Sequence, residues 1–391
     1  MSNTFAILGA GMQGTAAAFD LARFAGAGKI ILADLSLEQA ERSSQRVNGL
    51  VGRPATEACE LDVTNTPELQ TFLTSVDVVL SCVPYWMHPK IASVAIAAKT
   101  SMCDLGGNTD VTWKTLAHDE EARKAGVTLV PDCGLAPGLV NSLALYLLEH
   151  LDETDTIKLF CGVLPQHPKP PFNYKLTFNV EGLVTEYDYR AQVLRDGRLT
   201  YVDTLAELEE IDIAELGRME AFTTSGGSGT SVTSLQGKVK NYDYKTIRFP
   251  GHCERMRIFK DFGFWGEEPI DVKGVKVAPK DVFNKVFGKS LGQIQDTDQC
   301  AVRAVGDGKR NGNPTRLQID LFDKQCETTG FTSMERLTGF SLSIYAQQVA
   351  AGKAGIGCVR YEDAMTGTDF VAQLERRGIK LRFDEQTTVG A

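Results

Sequence analysis

Several motifs that would assign a function directly are missing from this sequence of 391 residues. Its nine cysteines form no CxxC pair and no group with the spacing of metal ligands. The five histidines are scattered, and the HExxH, GxSxG and paired-carboxylate motifs are absent. We therefore expect no metal site, and no catalysis of the kinds for which the HExxH, GxSxG and paired-carboxylate motifs are typical. The odd cysteine count and the apolar neighbours of several cysteines favour reduced, mostly buried thiols.

Excess positive charge and long apolar runs are also lacking. The chain has 50 acidic and 41 basic residues, a net charge of −9. This balance argues against nucleic acid or an anionic membrane as a partner, because both attract broad basic surfaces. The longest apolar runs fall short of the roughly 20 residues of a membrane-spanning helix. Since no secretory signal precedes the first glycine motif, we expect a cytoplasmic globular protein.

A glycine motif near the start of the chain is typical of a dinucleotide-binding unit. A short apolar strand at 5–8 is followed by Gly9, Gly11 and Gly14, which form GxGxxG, and then by an alanine-rich helical segment. Gly9 would permit a tight turn and Gly11 the close approach of a pyrophosphate. Gly14 would let the helix pack closely on the strand. The pattern predicts a bound dinucleotide.

The identity of that dinucleotide is predicted from the residues around the motif. Backbone N–H groups at the helix start, at Met12 and Gln13, would bind the phosphates. Asp34 ends the second apolar strand and would accept hydrogen bonds from the adenosine ribose. Its charge would repel a 2′-phosphate, and Leu35 and Ser36 offer no guanidinium to attract one. NAD is therefore favoured over NADP as the cofactor.

Strand and helix patterns alternate through residue 134. This alternation predicts an α/β fold with a doubly wound parallel sheet of the Rossmann type, comprising residues 1–134. The further strands are predicted within 58–63, 77–84, 101–107 and 127–134. Ligands of such sheets bind at the carboxyl ends of the strands. We therefore expect Asp62 near the adenine, and Val83 and Pro84 near the nicotinamide.

A second domain of α+β class is predicted for residues 135–333. Its strands, separated by long loops, indicate a mostly antiparallel sheet. They are predicted within 156–164, 174–187, 190–202, 244–252, 301–308 and 315–324. The stretch 223–231 is rich in Ser and Gly and is either a substrate-side loop or a connector. Helices within 334–391 are expected to return and complete the first domain.

Five separated segments together resemble the saccharopine dehydrogenase-like family, and most closely its lysine 6-dehydrogenase branch. These segments are residues 81–92, 103–110, 130–138, 170–187 and 244–252. The resemblance implies a Rossmann domain plus an α+β substrate domain, and NAD-linked oxidation at a carbon bearing nitrogen. In the lysine branch the ε-amine of L-lysine is removed to give 2-aminoadipate 6-semialdehyde. A saccharopine-type opine dehydrogenase and a non-catalytic NAD-binding sensor are the alternatives.

A cluster of cations near residue 250 is predicted to bind the substrate carboxylate. The guanidinium of Arg248 suits bidentate recognition of a carboxylate, and Pro250 with Gly251 makes a rigid turn beside it. Lys245 would hold the same carboxylate or accept a proton, and His252 would shuttle one. The alternatives are a surface salt bridge, an exposed lysine and a structural histidine. Further predicted substrate contacts are Asn173, Tyr174 and Thr224.

Hydride transfer from an amine requires a neutral nitrogen, so a base must first accept a proton. We hypothesise that this base is Asp104, His88 or Lys245, and that Tyr85 orients the amine. Glu181 would bind an ammonium group and thereby favour lysine over saccharopine, if it faces the cleft. Otherwise it is a solvated strand end. The expected partner is a small amino-acid substrate, and we expect a homo-oligomer.

Overall fold

The computed structural model describes residues 3–177 and 180–387. The chain divides into two compact units. Unit 1 comprises residues 1–149, 229–231 and 326–378, and unit 2 comprises 150–228, 232–325 and 379–391. Among the residues that the structure describes, no helix is both long and apolar enough to cross a membrane.

Strands and helices are numbered along the chain. The strands are β1 Thr4–Leu8, β2 Lys29–Asp34, β3 Glu57–Glu60, β4 Val78–Ser81, β5 Ser101–Asp104, β6 Thr128–Val130, β7 Glu153–Pro165, β8 Ala191–Arg195, β9 Arg198–Val202, β10 Glu209–Ile213, β11 Gly217–Thr223, β12 Asn241–Arg248, β13 Ile270–Val272, β14 Val275–Val277, β15 Asp298–Arg310, β16 Asn313–Lys324, β17 Gly357–Cys358 and β18 Leu381–Thr387. The helices are α1 Met12–Phe24, α2 Leu37–Val51, α3 Thr66–Leu73, α4 His88–Ala98, α5 Thr109–Leu116, α6 Asp119–Ala125, α7 Val140–His150, α8 Val180–Asp188, α9 Ser231–Ser234, α10 His252–Asp261, α11 Pro279–Gly292, α12 Ser333–Ala350, α13 Tyr361–Ala364 and α14 Gly367–Arg376.

Unit 1 is built on a parallel sheet in the order β17-β6-β5-β4-β1-β2-β3. Every neighbouring pair in it is parallel, which confirms the predicted doubly wound sheet. The strand order reverses between β1 and β4, and ligands of such sheets bind beside that reversal. The short strand β17 was not predicted. Because two residues carry no usable period, it could not be recognised from the sequence.

Two glycines allow α1 to pack closely in unit 1. A Cβ atom on Gly14 would lie 2.0 Å from the carbonyl oxygen of Gly9, so only glycine fits at this helix–strand contact. A Cβ atom on Gly339 of α12 would lie 2.8 Å from the Cβ of Ala16 on α1. Close packing was predicted at Gly14 and is confirmed. The close approach of α12 to α1 shows that this late helix packs in unit 1.

Unit 2 is built on a sheet in the order β10-β11-β12-β7-β15-β16-β18, with the hairpin β8–β9 joined at β12. Only β12 and β7 are parallel among the described pairs of this sheet, and the others are antiparallel. The mostly antiparallel sheet is therefore confirmed. The loop after residue 223 follows β11 directly, whereas no clear strand was predicted there.

Two elements differ from the expectations. The segment 174–187 was predicted as a strand, but its second half is α8, with Leu183, Val184 and Tyr187 buried on one face. This 3–4 spacing is helical, and the β-branched residues had masked it. The tail was expected to complete the first domain. Its helices α12 to α14 belong to unit 1, whereas the strand β18 pairs with β16 in unit 2.

Helices α8, α10 and α11 bury an aromatic layer in unit 2. Its members are Tyr174, Leu183, Val184, Tyr187, Leu205, Phe222, Cys253, Met256, Trp265, Phe283, Phe287 and Leu291. Phe222 of β11 pairs in register with Thr246 of β12, so this layer covers the sheet face from which Thr246 projects. Side chains of one strand alternate between faces, and Tyr244 and Arg248 therefore project into the same layer.

One buried ion pair ties α1 to the end of α14. Arg377 donates two hydrogen bonds of 2.8 Å to the carboxylate of Asp20, and both side chains are 0% exposed. Burial raises the pKa of Asp20, while the charge of Arg377 acts in the opposite direction. A buried carboxylate is costly unless it is paired, so each partner depends on the other.

We expect Arg377→Leu to lower the free energy of unfolding by about 3–5 kcal/mol at neutral pH, because Asp20 then keeps a buried charge without its cation. This loss should be smaller at about pH 4, because Asp20 in the folded variant binds a proton more readily than in the unfolded chain and then carries no buried charge. Urea unfolding at several pH values measures this. The control is Arg376→Leu at the exposed neighbouring position. Equal losses in both variants would contradict the assignment.

Candidate functional site

The glycine motif forms an open cradle at the carboxyl end of β1. Gly9 has φ +94°, and its N–H donates to Ala33 O at 2.8 Å. A Cβ atom there would lie 2.9 Å from the carbonyl oxygen of Cys82 and 3.4 Å from Val83. By contrast, a Cβ atom on Gly11 would meet nothing within 4 Å. The cradle therefore leaves room for a pyrophosphate against the backbone, as the motif requires.

The N-terminus of α1 supplies the donors for such a phosphate. Gly11 precedes the helix, no side chain caps it, and its first turn carries no acidic residue. Met12 is half-exposed, and Gln13 is partly buried. A helix start without a cap presents unpaired N–H groups and the positive end of the helix dipole. These residues fit the predicted role of binding a dinucleotide phosphate.

Asp34 is held at the end of β2 next to this cradle. Its Oδ2 accepts a hydrogen bond from Ala10 N at 2.8 Å, and its Oδ1 accepts one from Ser36 N at 3.0 Å. Leu35 beside it is 70% exposed. The carboxylate is thus fixed by the turn that carries the glycines. A carboxylate in this place suits a ribose hydroxyl better than a phosphate.

The other predicted cofactor residues follow β3 and β4. Asp62 Oδ1 accepts hydrogen bonds from the N–H and the hydroxyl of Thr64, at 2.8 and 2.7 Å. These bonds lower the pKa of the Asp62 carboxyl. Val83 is partly buried beside Gly9, and Pro84 is exposed. The structure brings Val83 to the cradle. Contacts of Asp62 and Pro84 with a cofactor stay predictions.

The predicted bases of unit 1 lie within its packed interior. Asp104 Oδ1 accepts hydrogen bonds from the N–H groups of Gly106 at 2.8 Å and Asp132 at 3.0 Å. His88 is buried, its Nδ1 lies 3.0 Å from Ser81 Oγ, and burial lowers its pKa. Both groups have partners inside the unit, so a role as the proton acceptor stays a prediction.

Asp132 and Tyr85 complete this edge of the sheet. Asp132 has φ +64° and accepts a hydrogen bond from Thr112 Oγ1 at 2.9 Å. Burial, together with the charge of Asp104, raises the pKa of the Asp132 carboxyl well above its usual range. Tyr85 packs edge-on against Trp86 with ring centroids 5.3 Å apart. Its predicted part in orienting an amine is untested.

Lys245 and Arg248 lie on opposite faces of β12, because they are three residues apart on a strand. Lys245 Nζ donates to Glu209 Oε1 and to the carbonyl oxygen of Glu207, both at 2.6 Å. It lines a polar cavity of about 330 Å³ that also contains the paired side chains of Arg195 and Asp243. The prediction that Lys245 and Arg248 hold one carboxylate is therefore wrong.

Arg248 is buried and held on three sides in the aromatic layer of unit 2. Its side chain is 5% exposed. Nε donates to Tyr187 Oη at 3.0 Å, and Nη1 donates to Ile247 O at 3.0 Å. The guanidinium carbon lies 5.0 Å from the centre of the Tyr174 ring. These contacts fix the plane of the guanidinium, so it is pre-organised to bind a planar anion.

His252 belongs to the support of this arginine. Its Nε2 lies 3.2 Å from Tyr187 Oη, and its Nδ1 lies 3.3 Å from Phe172 O. Since Tyr187 accepts from Arg248, its hydroxyl donates to Nε2, and Nδ1 of a neutral imidazole donates to Phe172. Burial and the charge of Arg248 lower the pKa of His252 to about 3. The structure thus favours a structural role for His252 over a role as a proton shuttle.

The remaining predicted substrate residues are distributed unequally. Thr224 is buried, and its Oγ1 lies 2.7 Å from Thr246 Oγ1 on the face that carries Arg248. Asn173 is partly buried in the loop before Tyr174 and has φ +50°. Glu181 is exposed in the first turn of α8, which agrees with the solvated alternative. Substrate contacts of these residues stay predictions.

The sequence interpretation missed two residues that face Arg248. Tyr187 makes the hydrogen bond that orients it, and Glu186 Oε2 lies 4.0 Å from its Nη2. Both are on α8, which was predicted as a strand. The spacing of Leu183, Val184 and Tyr187 was the signal that would have placed them on a helix. Among the described residues, no cluster of three or more His, Cys, Asp or Glu could hold a metal.

Two family models match this chain. The model of the saccharopine dehydrogenase NADP binding domain matches residues 5–130, and that of the saccharopine dehydrogenase C-terminal domain matches residues 134–379. Saccharopine dehydrogenase (NADP(+), L-glutamate-forming) of Pyricularia oryzae is 23% identical over 68% of this chain and 60% of its own length. The yeast enzyme of that name, from Saccharomyces cerevisiae, is 27% identical over 44% of this chain and 39% of its own.

Two further similarities extend the comparison. Carboxynorspermidine synthase of Vibrio cholerae is 21% identical over 66% of both chains. The solved structure of apo saccharopine dehydrogenase (L-Glu forming) from Saccharomyces cerevisiae matches with a TM-score of 0.78 at 19% identity, over 99% of this chain and 100% of that one. This likeness shows the fold. On the two family models, this chain belongs to the saccharopine dehydrogenase family.

Proposed function

We propose that this chain is an NAD-dependent amino-acid dehydrogenase that removes the ε-amine of L-lysine. The products would be 2-aminoadipate 6-semialdehyde and ammonia. Family membership indicates an oxidoreductase that acts on amino-acid or amine substrates. The narrower assignment is supported by the resemblance of five segments to the lysine 6-dehydrogenase branch. The exposed Glu181 adds no support for lysine.

The observation that carries the proposal is the buried, oriented guanidinium of Arg248. Nε and Nη1 donate to Tyr187 and Ile247, which leaves Nη2 without a hydrogen bond in the described part of the chain. Charge-assisted hydrogen bonds from a desolvated arginine are strong and geometrically selective. Arg248 would hold the α-carboxylate of an amino acid. A role for it as a simple surface salt bridge is excluded by its burial.

The cofactor assignment is supported by the cradle around Gly9 and Gly11 and by Asp34. When bound, the nicotinamide would accept the hydride from the carbon that bears nitrogen. The family model and the fungal relatives are named for NADP, so the two lines of support differ. We favour NAD because the carboxylate of Asp34 is fixed where a 2′-phosphate would meet it.

A saccharopine-type reaction on a secondary amine is the second candidate. The names of the fungal relatives favour it, since both are saccharopine dehydrogenases. The two candidates differ in the groups that the enzyme must bind. Saccharopine carries three carboxylates, whereas lysine carries one, so the saccharopine reaction would need further cations. Lys245 is engaged by Glu209 and lies on the other face of β12 from Arg248.

We expect the purified protein to form NADH and ammonia in equal amounts from L-lysine and NAD, with no keto acid present. The measurement is NADH absorbance with a parallel ammonia assay. Turnover of saccharopine without turnover of lysine would replace this proposal with the second candidate. If NAD binds but neither substrate reacts, the non-catalytic sensor becomes the better description.

We expect the double variant Asp34→Ser, Leu35→Arg to shift cofactor preference from NAD towards NADP. Removing the carboxylate and adding a cation should lower the ratio of kcat/KM for NAD to that for NADP by about 10- to 100-fold or more. Glu38→Gln, at an exposed position on α2, is the matched control and should keep the ratio. A wild-type protein that already prefers NADP would contradict the role given to Asp34.

Arg248→Lys should raise the KM for the amino acid by about 10- to 100-fold, because an ammonium loses the bidentate contact but keeps the buried charge. The KM for the dinucleotide should stay unchanged, which separates substrate binding from general damage. Arg198→Lys, on the exposed hairpin strand β9, is the control. Steady-state kinetics with both substrates varied gives these constants. An unchanged amino-acid KM would rule out Arg248 as the carboxylate site.

A further inference from the structure

A second charged side chain, Glu186, lies beside Arg248 and forms a long ion pair with it. Glu186 Oε2 is 4.0 Å from Arg248 Nη2, too far for a hydrogen bond. At this distance the pair is electrostatic only, and it leaves the Glu186 carboxylate open to another donor. Its side chain is 35% exposed, whereas that of Arg248 is 5% exposed. The two opposite charges therefore stand side by side without closing on each other.

We propose that Glu186 and Arg248 together bind the head group of an α-amino acid. The guanidinium would take the α-carboxylate, and the Glu186 carboxylate would accept hydrogen bonds from the α-ammonium. An α-amino acid carries its two charges on one carbon, so the head group can meet both side chains at once. The inference rests on the proposed function and adds to it a role for Glu186, which would select ligands that carry a free α-amino group.

The backbone around Glu186 makes this placement stable. Its carbonyl oxygen accepts a hydrogen bond from Ser225 N at 2.9 Å, and the hydroxyl of Ser225 donates to Thr185 O at 3.0 Å. The adjacent Tyr187 is the hydrogen-bond acceptor for Arg248. Consecutive residues of one helix therefore orient the cation and supply the opposing anion. Such rigid support is what a selective polar site requires.

Glu186 is also the group in this neighbourhood that changes charge near neutral pH. Burial raises the pKa of Glu186 to about 7, with the positive charge of Arg248 opposing the rise. The titratable groups around Glu186 keep one protonation state near neutral pH: the arginine is cationic, and the phenols and the imidazole are neutral. They are Arg248, Tyr174, Tyr187, Tyr244 and His252.

This titration sets the sign of the pH dependence. Above about pH 7 the ionised Glu186 attracts an ammonium, so an α-amino acid should bind more tightly as pH rises. A simple carboxylic acid should show the reverse trend, because the ionised Glu186 repels it from Arg248. Below about pH 6 the protonated Glu186 should distinguish little between the two ligands.

The test is calorimetric binding of L-norleucine and of hexanoate to the NADH-loaded protein at about pH 6 and pH 8. The two ligands differ only in the α-amino group, and neither carries an ε-amine, so turnover is not needed. At the higher pH we expect norleucine to bind about 10- to 100-fold more tightly than hexanoate. Glu186→Gln should abolish this preference and both pH trends. Glu254→Gln, at an exposed position on α10, should keep them.

A preference for norleucine that survives in Glu186→Gln would overturn the proposal. So would an equal loss of both ligands in that variant, or binding of neither ligand to the wild type. Failure of lysine turnover is a separate result. If lysine does not react but the preference persists and depends on Glu186, the head-group site stands and the substrate is another α-amino acid.

Discussion

The burial of the Arg248 guanidinium is the constraint on which the candidate site in unit 2 depends. A cation removed from water is costly unless hydrogen bonds and nearby negative charge offset its desolvation. The fold meets this requirement with the hydroxyl of Tyr187, the carbonyl of Ile247, the ring of Tyr174 and the nearby Glu186. The hydrogen bonds of Nε and Nη1 hold the guanidinium of Arg248 in one orientation. The direction of its remaining edge is therefore a property of the fold.

The supporting layer extends this constraint into the aromatic core. Tyr187 can accept from Arg248 because its own proton goes to His252, whose imidazole in turn donates to Phe172 O. The helix that begins at His252 is capped by Glu220, whose carboxylate accepts from the N–H groups of Gly251 and Cys253. In the series from Arg248 through Tyr187 and His252 to Phe172 O, each donor has an acceptor in the next residue. Buried polar networks of this kind hold their geometry because breaking one bond strands its partner.

In unit 1 the corresponding constraint is steric. Gly9 takes a positive φ against Cys82, Gly14 leaves no space for a Cβ, and Gly11 faces open space. These three requirements act over a few residues of backbone, which explains why the cradle and Asp34 could be located from the sequence. The parallel, doubly wound sheet also followed from the alternation of strand and helix patterns, whereas its strand order came from the structure.

The candidate site in unit 2 was less accessible to sequence reasoning. Arg248 was recognised from the chemistry of its guanidinium and from the turn that follows it. Lys245 and His252 were grouped with it only because they are near in sequence. The two-residue period of β12 sends Lys245 to the other face, and the helix after Gly251 buries His252. Glu186 and Tyr187 were missed because the helical period of α8 is short and rich in strand-favouring side chains.

The sequence by itself determined the class of fold, the dinucleotide cradle and the cation that would take a carboxylate. Each of these follows from local backbone geometry or from the chemistry of one side chain. Only the tertiary structure decided which groups surround that cation, since α8 and β12 are distant along the chain and meet through packing. It also decided that β18 joins the second sheet. Such contacts arise from the burial of whole apolar faces, and no local pattern encodes their register.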